Sequence, residues 1–189
     1  GKISALARGV RKEKSRLAGG VELFTVADVV VHRGRSSLDI VTSAKMLRFY
    51  GNILSSIPSL ELASSFLKQL DRAAEQADNP EFFDLLNQSL AGLNSGFDFQ
   101  LVGAWFRLNL LRASGEEINL VRDSVGAPLR PDLRYFWDSA EQALHPNPGG
   151  NISAQEIKLA RLILHHQLDR ITKINGVASL IPAIASIAR

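Results

Sequence analysis

The fold is decided by residues 23–42, LFTVADVVVHRGRSSLDIVT, which hold two runs rich in β-branched residues around a polar turn. The first run covers 23–31, the second covers 38–42, and the turn between them contains a glycine. Two such runs around a glycine-containing turn are typical of a β-hairpin. Residues 2–8 alternate in the pattern of a half-buried strand, with Ile3, Ala5 and Ala7 on one face. This predicts one further strand before the hairpin.

The apolar period changes from about Lys45 onward to that of a helix, which predicts a second and larger part of the chain. Residues 118–131 are polar and contain glycine and prolines, which predicts a loop or linker. We predict helices over residues 60–77, 82–93, 97–111, 133–143, 153–174 and 177–187. The fold class is therefore α+β, with a small β module at 1–46 and a larger all-α helical domain at 47–189.

The charge is distributed unevenly along the chain. Residues 1–48 carry ten Lys and Arg against four Asp and Glu, whereas the rest carries 12 against 15. A basic head on a mildly acidic body indicates a polyanionic partner, because clustered cations gain affinity by releasing counterions from phosphates.

The basic segment at 9–16 has two interpretations that the sequence leaves open. It can follow a nucleic-acid backbone by contacting phosphates, or it can be a solvated loop that keeps the protein in solution. Aromatic residues that could stack on bases are scarce in the head, since Phe24 is the only ring before Phe49. We therefore expect electrostatics to carry most of the affinity, with little reading of base sequence.

Several classes of function are disfavoured. The chain has no cysteine, so disulfides and thiolate metal sites are excluded. No apolar run approaches the length of a membrane span, and no phosphate-binding glycine loop or nucleophile motif occurs. We expect His165 and His166 to lie inside a helix and to point about 100° apart, too far to clasp one metal ion. We predict no catalytic residue, no metal and no cofactor.

The segment from Trp105 to Arg112 carries apolar residues on more than one helix face, with Arg107 and Arg112 among them. It is either a central core helix with two arginines that extend to solvent, or part of a groove for an apolar, acidic partner.

The order of these segments resembles the RecO family of recombination mediators and DNA repair proteins. The resemblance begins with GKISALARGVRK at residues 1–12 and continues through 23–25 and 38–42. In the helical part it includes FFDLL at 82–86, FRLNLL at 106–111 and GAPL at 126–129. It covers nearly the whole chain.

The resemblance implies that the β module is a partial OB-fold that lacks its first strands. Because the chain begins with glycine, we expect it to open partway into a longer protein. The family binds single- and double-stranded DNA and anneals complementary strands. It also works with RecR and single-stranded DNA-binding protein to load the recombinase RecA. By matching position, the implied DNA contacts are Lys2, Arg8, Arg11, Lys12, Lys14, Arg16, Arg33 and Arg35.

The family's helical domain receives the acidic, apolar C-terminal tail of single-stranded DNA-binding protein, and Arg107 and Arg112 are our candidates for contacting its acidic groups. Many members carry a four-cysteine zinc site in the loop that corresponds to residues 121–126. This chain has none of those cysteines, so we expect packing alone to hold the loop.

The sequence therefore predicts a non-enzymatic mediator of homologous recombination repair in the bacterial cytoplasm, associated with the nucleoid and not with a membrane. The alternative is a helical scaffold whose basic head binds acidic proteins, RNA or a membrane surface.

Overall fold

A computed structural model describes residues 2–10, 15, 17, 19–33, 38–116 and 118–187. Within these residues, a small sheet is followed by helices, so the predicted α+β class is confirmed. The elements are β1 (Ala5–Leu6), β2 (Thr25–His32), β3 (Asp39–Phe49), a 3-10 helix (Gly51–Ser55), α1 (Ile57–Gln76), α2 (Glu81–Asn94), α3 (Phe99–Ala113), β4 (Tyr135–Asp138), β5 (Ala143–Pro146), α4 (Ala154–His165), α5 (Leu168–Ile171) and α6 (Val177–Ile187).

The first sheet has the order β1-β3-β2, with β3 in the centre. β2 and β3 pair antiparallel from Thr25 opposite Phe49 to His32 opposite Ile40, which confirms the predicted hairpin. β1 pairs parallel to β3. The helical period predicted from about Lys45 is wrong over 45–49, because these residues continue β3 in register with β2.

Helix α3 lies at the centre of the helical domain. Its buried face includes Leu101, Phe106 and Leu108, and the Phe106 ring stacks on Phe66 of α1 with ring centroids 4.0 Å apart. The Asp98 side chain caps α3 by accepting a hydrogen bond from the Leu101 backbone N–H at 2.9 Å. No helix within the described ranges is long and apolar enough to cross a membrane.

The β module and the helices share one apolar core through Phe24 and Tyr50. Phe24 is buried in that core, and its carbonyl accepts a hydrogen bond from the Tyr50 backbone N–H at 3.0 Å. The Tyr50 hydroxyl lies 2.5 Å from Oδ1 of Asn87 on α2. This contact fixes the end of β3 against the helical domain.

The helix predicted over 133–143 is wrong, because this segment forms the β4–β5 hairpin. Tyr135, Phe136 and Trp137 favour extended structure, since aromatic side chains pack well on a pleated surface. The Asp138 side chain accepts hydrogen bonds from the backbone N–H groups of Ala140 and Glu141, which makes the turn. The N–H and carbonyl of Tyr135 also pair with Ile152, so the hairpin is joined to the segment before α4.

The single helix predicted over 153–174 is divided in two. α4 ends at His165, and His166 is extended with φ −130° and ψ 151°. The His166 carbonyl, turned out of the helix, accepts a hydrogen bond from the Trp105 indole N–H at 3.0 Å. His165 and His166 therefore lie at a helix end. The sequence prediction that both lie inside a helix is wrong.

The loop predicted over 118–131 contains no helix or extended strand in its described residues. The expectation that packing alone holds it is wrong. The carboxylate of Asp123, a residue with only 9% exposure, accepts hydrogen bonds from the backbone N–H groups of Val125 and Ala127 at 3.1 and 2.9 Å. The Arg161 guanidinium of α4 donates to the Leu120 carbonyl, which ties the loop to the helical core.

Candidate nucleic-acid interface

Two of the predicted DNA contacts closely follow the strand residues that flank Ile40 in the first sheet. Ile40 of β3 is paired with Leu6 of β1 on one side and with His32 of β2 on the other. Arg8 follows Leu6 by two residues and Arg33 directly follows His32. Both arginines are exposed, and no described residue forms an ion pair with either. Because β1 runs parallel to β3 and β2 runs antiparallel to it, Arg8 and Arg33 leave the register position of Ile40 in opposite directions along β3.

Lys2, another predicted DNA contact, forms ion pairs within the protein. Its ammonium lies 2.6 Å from the Asp71 carboxylate and 3.3 Å from the Glu75 carboxylate, both on α1. The hydrogen bond to Asp71 is the main cause that raises the pKa of Lys2; desolvation lowers this pKa, and the hydrogen bond to Glu75 raises it further. Lys2 thus fastens the first strand to α1, and a phosphate would have to compete with two carboxylates for it.

The other predicted DNA contacts lie outside the described residues. They are Arg11, Lys12, Lys14, Arg16 and Arg35. Their contribution stays a prediction from the sequence.

Two further cations of the basic head lie on β3, away from Arg8 and Arg33. Lys45 is opposite Asp28 in the strand register. The Arg48 guanidinium donates to the Tyr50 hydroxyl at 3.2 Å and lies 5.9 Å from the centre of that ring. Arg48 therefore supports the junction between β3 and the helical domain.

Arg107 lines a groove between α1, α3 and α6. The groove has a volume of about 590 Å³, and its apolar wall includes Leu62, Phe99 and Ile181. The Arg107 Nε donates to the Gly103 carbonyl at 3.2 Å, one turn earlier in α3. A Cβ at position 103 would lie 3.3 Å from a guanidinium nitrogen, so the glycine leaves room for this side chain.

Arg112 lines a different groove, between α2, α3 and the end of α4. Its guanidinium forms an ion pair with Glu81 at 3.2 Å, and Asp84 lies on the same groove. The structure therefore separates the two arginines that the sequence had assigned to one partner. The groove around Arg107 combines a cation with an apolar wall, whereas the groove around Arg112 is rich in acceptors.

Sequence reasoning missed the residues that complete these grooves. Phe99 is the first residue of α3 and is 46% exposed, so much of its ring lies outside the core. Leu62 and Ile181 come from helices more than 100 residues apart in the chain. Of these residues, only Phe99 could have been noticed in the sequence, because it directly follows the capping residue Asp98.

Two family models match the chain. The model described as Recombination protein O N terminal matches residues 1–50, and the model described as Recombination protein O C terminal matches residues 55–184. The chain belongs to the RecO family. This confirms the resemblance found in the sequence, and the β module is accordingly part of an OB-fold.

Curated relatives agree with this assignment. The chain is 28% identical to the DNA repair protein RecO of Dehalococcoides mccartyi strain CBDB1, over 92% of this chain and 71% of the relative. It is 31% identical to the DNA repair protein RecO of Listeria monocytogenes, over 93% and 71% of the two chains. The chain is thus a member of a family of DNA repair proteins.

Proposed function

We propose that this RecO-family chain is a non-catalytic mediator of recombination repair that holds single- and double-stranded DNA by its phosphates. The observation that carries the proposal is that Arg8 and Arg33, which follow the two strands flanking Ile40, are exposed and have no acidic partner among the described residues. Phosphate contacts position a protein on DNA without reading its sequence. Residues 1–46 would hold DNA, and 47–189 would contact proteins.

Annealing follows from this mode of binding. Cations on the phosphates reduce the repulsion between two strands, while the pairing edges of the bases stay free. Support for phosphate contacts over base stacking comes from Phe24, the only Phe, Tyr or Trp among residues 1–48, which is buried in the core. The exposed ring of Phe49 lies at the opposite end of β3 from Ile40.

The proposed protein partners are RecR and single-stranded DNA-binding protein, together with which the chain would help load a recombinase in the bacterial cytoplasm, at the nucleoid. Of the two arginines predicted for the acidic, apolar tail of single-stranded DNA-binding protein, Arg107 is the better candidate. Its groove has an apolar wall that can receive the apolar side chains of the tail.

The DNA-binding role can be tested with the charge reversal Arg11→Glu/Lys12→Glu/Lys14→Glu. The proposal expects weaker binding to a single-stranded oligonucleotide and slower annealing, with the largest loss at low salt. The double substitution Lys158→Glu/Arg170→Glu on α4 and α5 is a charge-reversal control in the helical domain, and it should leave the affinity and the annealing rate unchanged. Equal binding by the triple variant and the wild type would remove the role of this segment.

The alternative scaffold function predicts a different preference. A head that serves acidic proteins, RNA or membranes would bind an acidic peptide, RNA or anionic vesicles as tightly as DNA at the same salt. Membership of a DNA repair family favours DNA.

A further inference from the structure

The turn that leads into α6 contains the only Asn-Gly pair in the sequence, Asn175-Gly176. An asparagine can lose its side-chain amide without an enzyme when the following backbone nitrogen attacks the amide carbon and closes a succinimide ring. A glycine in the following position favours this attack, because it has no Cβ to obstruct the approach. Whether the pair reacts in the folded protein therefore depends on how the fold holds it.

The fold leaves both reacting groups of this pair unrestrained. Asn175 and Gly176 are exposed, and the Asn175 side chain forms no hydrogen bond with any described residue. The Gly176 N–H likewise donates to no acceptor in the described part of the chain. Gly176 has φ +76°, and a Cβ built on it would meet nothing within 4 Å. The nitrogen that attacks and the amide that is attacked therefore lie in open surroundings.

Asn94 also precedes a small residue, but the fold holds it firmly. Its Oδ1 accepts a hydrogen bond from the Asn52 backbone N–H at 3.0 Å. The Ser95 N–H, whose nitrogen would have to attack Asn94, donates to the Ala91 carbonyl at 2.9 Å at the end of α2. Local unfolding must therefore precede any reaction at Asn94.

We propose that Asn175 is a site of spontaneous deamidation, a modification separate from DNA binding and from the partner groove at Arg107. The Gly176 nitrogen loses its proton to solvent and bonds to Cγ of Asn175, and the side-chain nitrogen takes up protons and leaves as ammonia. Water then adds to one of the succinimide carbonyls and breaks its bond to the ring nitrogen. The product is aspartate or isoaspartate, depending on which carbonyl is attacked, and nothing is oxidised or reduced.

The modification changes the entry to α6. Both products place a new carboxylate just before the first turn of this helix, which has no acidic residue of its own, near the positive end of the helix dipole. The isoaspartate product also lengthens the main chain by one carbon. Since Ile181 and Pro182 of α6 line the groove at Arg107, the altered entry belongs to the helix that forms one wall of that groove.

The test compares deamidation rates in the native full chain and in the same chain unfolded in guanidinium chloride, by mass spectrometry of its peptides. An isoaspartyl methyltransferase assay identifies the isoaspartate product. We expect Asn175 to react equally fast in both states, and faster as the pH rises, because the attacking nitrogen must lose its proton. Asn94, the internal control, should react at least about fivefold more slowly in the native chain than in the unfolded chain, the factor that corresponds to one hydrogen bond. Asn175→Gln should lack the product at this position.

Either of two results would overturn the proposal. One is an Asn175 peptide that stays unmodified in the native chain, whether or not it reacts in the unfolded chain. The other is a native rate at Asn175 that is reduced as strongly as the rate at Asn94, which would show that the fold protects both sites. Because DNA is absent from these samples, neither result depends on the proposed DNA-binding function.

Discussion

At the scale of single residues, the hydrogen bonds of Asp123 support the loop at 118–131 in addition to the packing of Leu120 and Leu129. Asp123→Ala would remove the acceptor of the backbone N–H groups of Val125 and Ala127, two exposed residues of this turn. We expect a loss of about 0.5–1.5 kcal/mol in the free energy of unfolding, the usual net contribution of a hydrogen bond. Urea denaturation would measure it. Asp132→Ala, which removes an exposed carboxylate from Arg130, is the control and should unfold at the same urea concentration.

Glu156 should give the protein a measurable pH dependence. Burial raises its pKa, but hydrogen bonds from the Ser153 hydroxyl and backbone N–H outweigh burial and lower the pKa overall. A carboxyl whose pKa is lower in the folded state stabilises the fold above its unfolded pKa, about 4.3, and loses that effect as the pH falls.

The stability difference between wild type and Glu156→Gln should therefore be full at pH 7 and shrink as the pH falls below about 4.3, towards the folded-state pKa. Thermal unfolding of both proteins from pH 7 to pH 3 would show it. A difference that stays constant over this range would contradict the role given to the charged capping box.

At the scale of elements, the turn after β5 depends on glycine at position 150. A Cβ there would clash with the backbone nitrogen, carbon and oxygen of Tyr135, and neither strand can yield without breaking the pairing with Ile152. We expect Gly150→Ala to cost about 1–3 kcal/mol of unfolding free energy, as overpacking does. Gly149→Ala is the matched control, because its Cβ would meet only the Asn147 side chain at 3.4 Å. Equal stability of the two variants in urea would contradict the assigned packing.

The link between β1 and α1 is a second element that can be tested. The last turn of α1 has no basic residue of its own, so Glu75 lies unfavourably near the negative end of the helix dipole. Lys2 offsets this charge from another part of the chain. Lys2→Gln should speed hydrogen exchange of the β1 amides, whereas Lys68→Gln, an exposed change on the same helix, should not. Unchanged exchange in Lys2→Gln would remove the fastening role.

Elements whose apolar residues repeat regularly over a long segment were predicted well from the sequence. Elements that depend on contacts between distant parts of the chain were not. The stripes of α1, α2 and α3 repeat over three or more turns, and the β2–β3 hairpin has its turn within one short segment. The strands at 135–146 are only four residues each, too short for a period to show. The break after His165 depends on a hydrogen bond from Trp105, 61 residues away.

At the scale of the whole molecule, the charge pattern predicted a basic head but not which cations are available. The sequence placed Lys2 with Arg8 and Arg33, yet Lys2 is paired with α1 residues about 70 positions away. It likewise placed Arg107 and Arg112 together, although they line separate grooves. Membership of the RecO family was readable from the order of short motifs, because that order is a property of the sequence itself.

The central claim is that the exposed arginines which follow β1 and β2 in the first sheet hold DNA by its phosphates. Its most direct test is the affinity for a single-stranded oligonucleotide across a salt series, for wild type, Arg8→Ala/Arg33→Ala and the control Lys158→Ala/Arg170→Ala. If Arg8 and Arg33 each contact one phosphate, their removal should weaken binding and flatten the slope of log affinity against log salt by about 0.7 per contact. The control should keep the wild-type slope. A slope and affinity unchanged in Arg8→Ala/Arg33→Ala would contradict the claim.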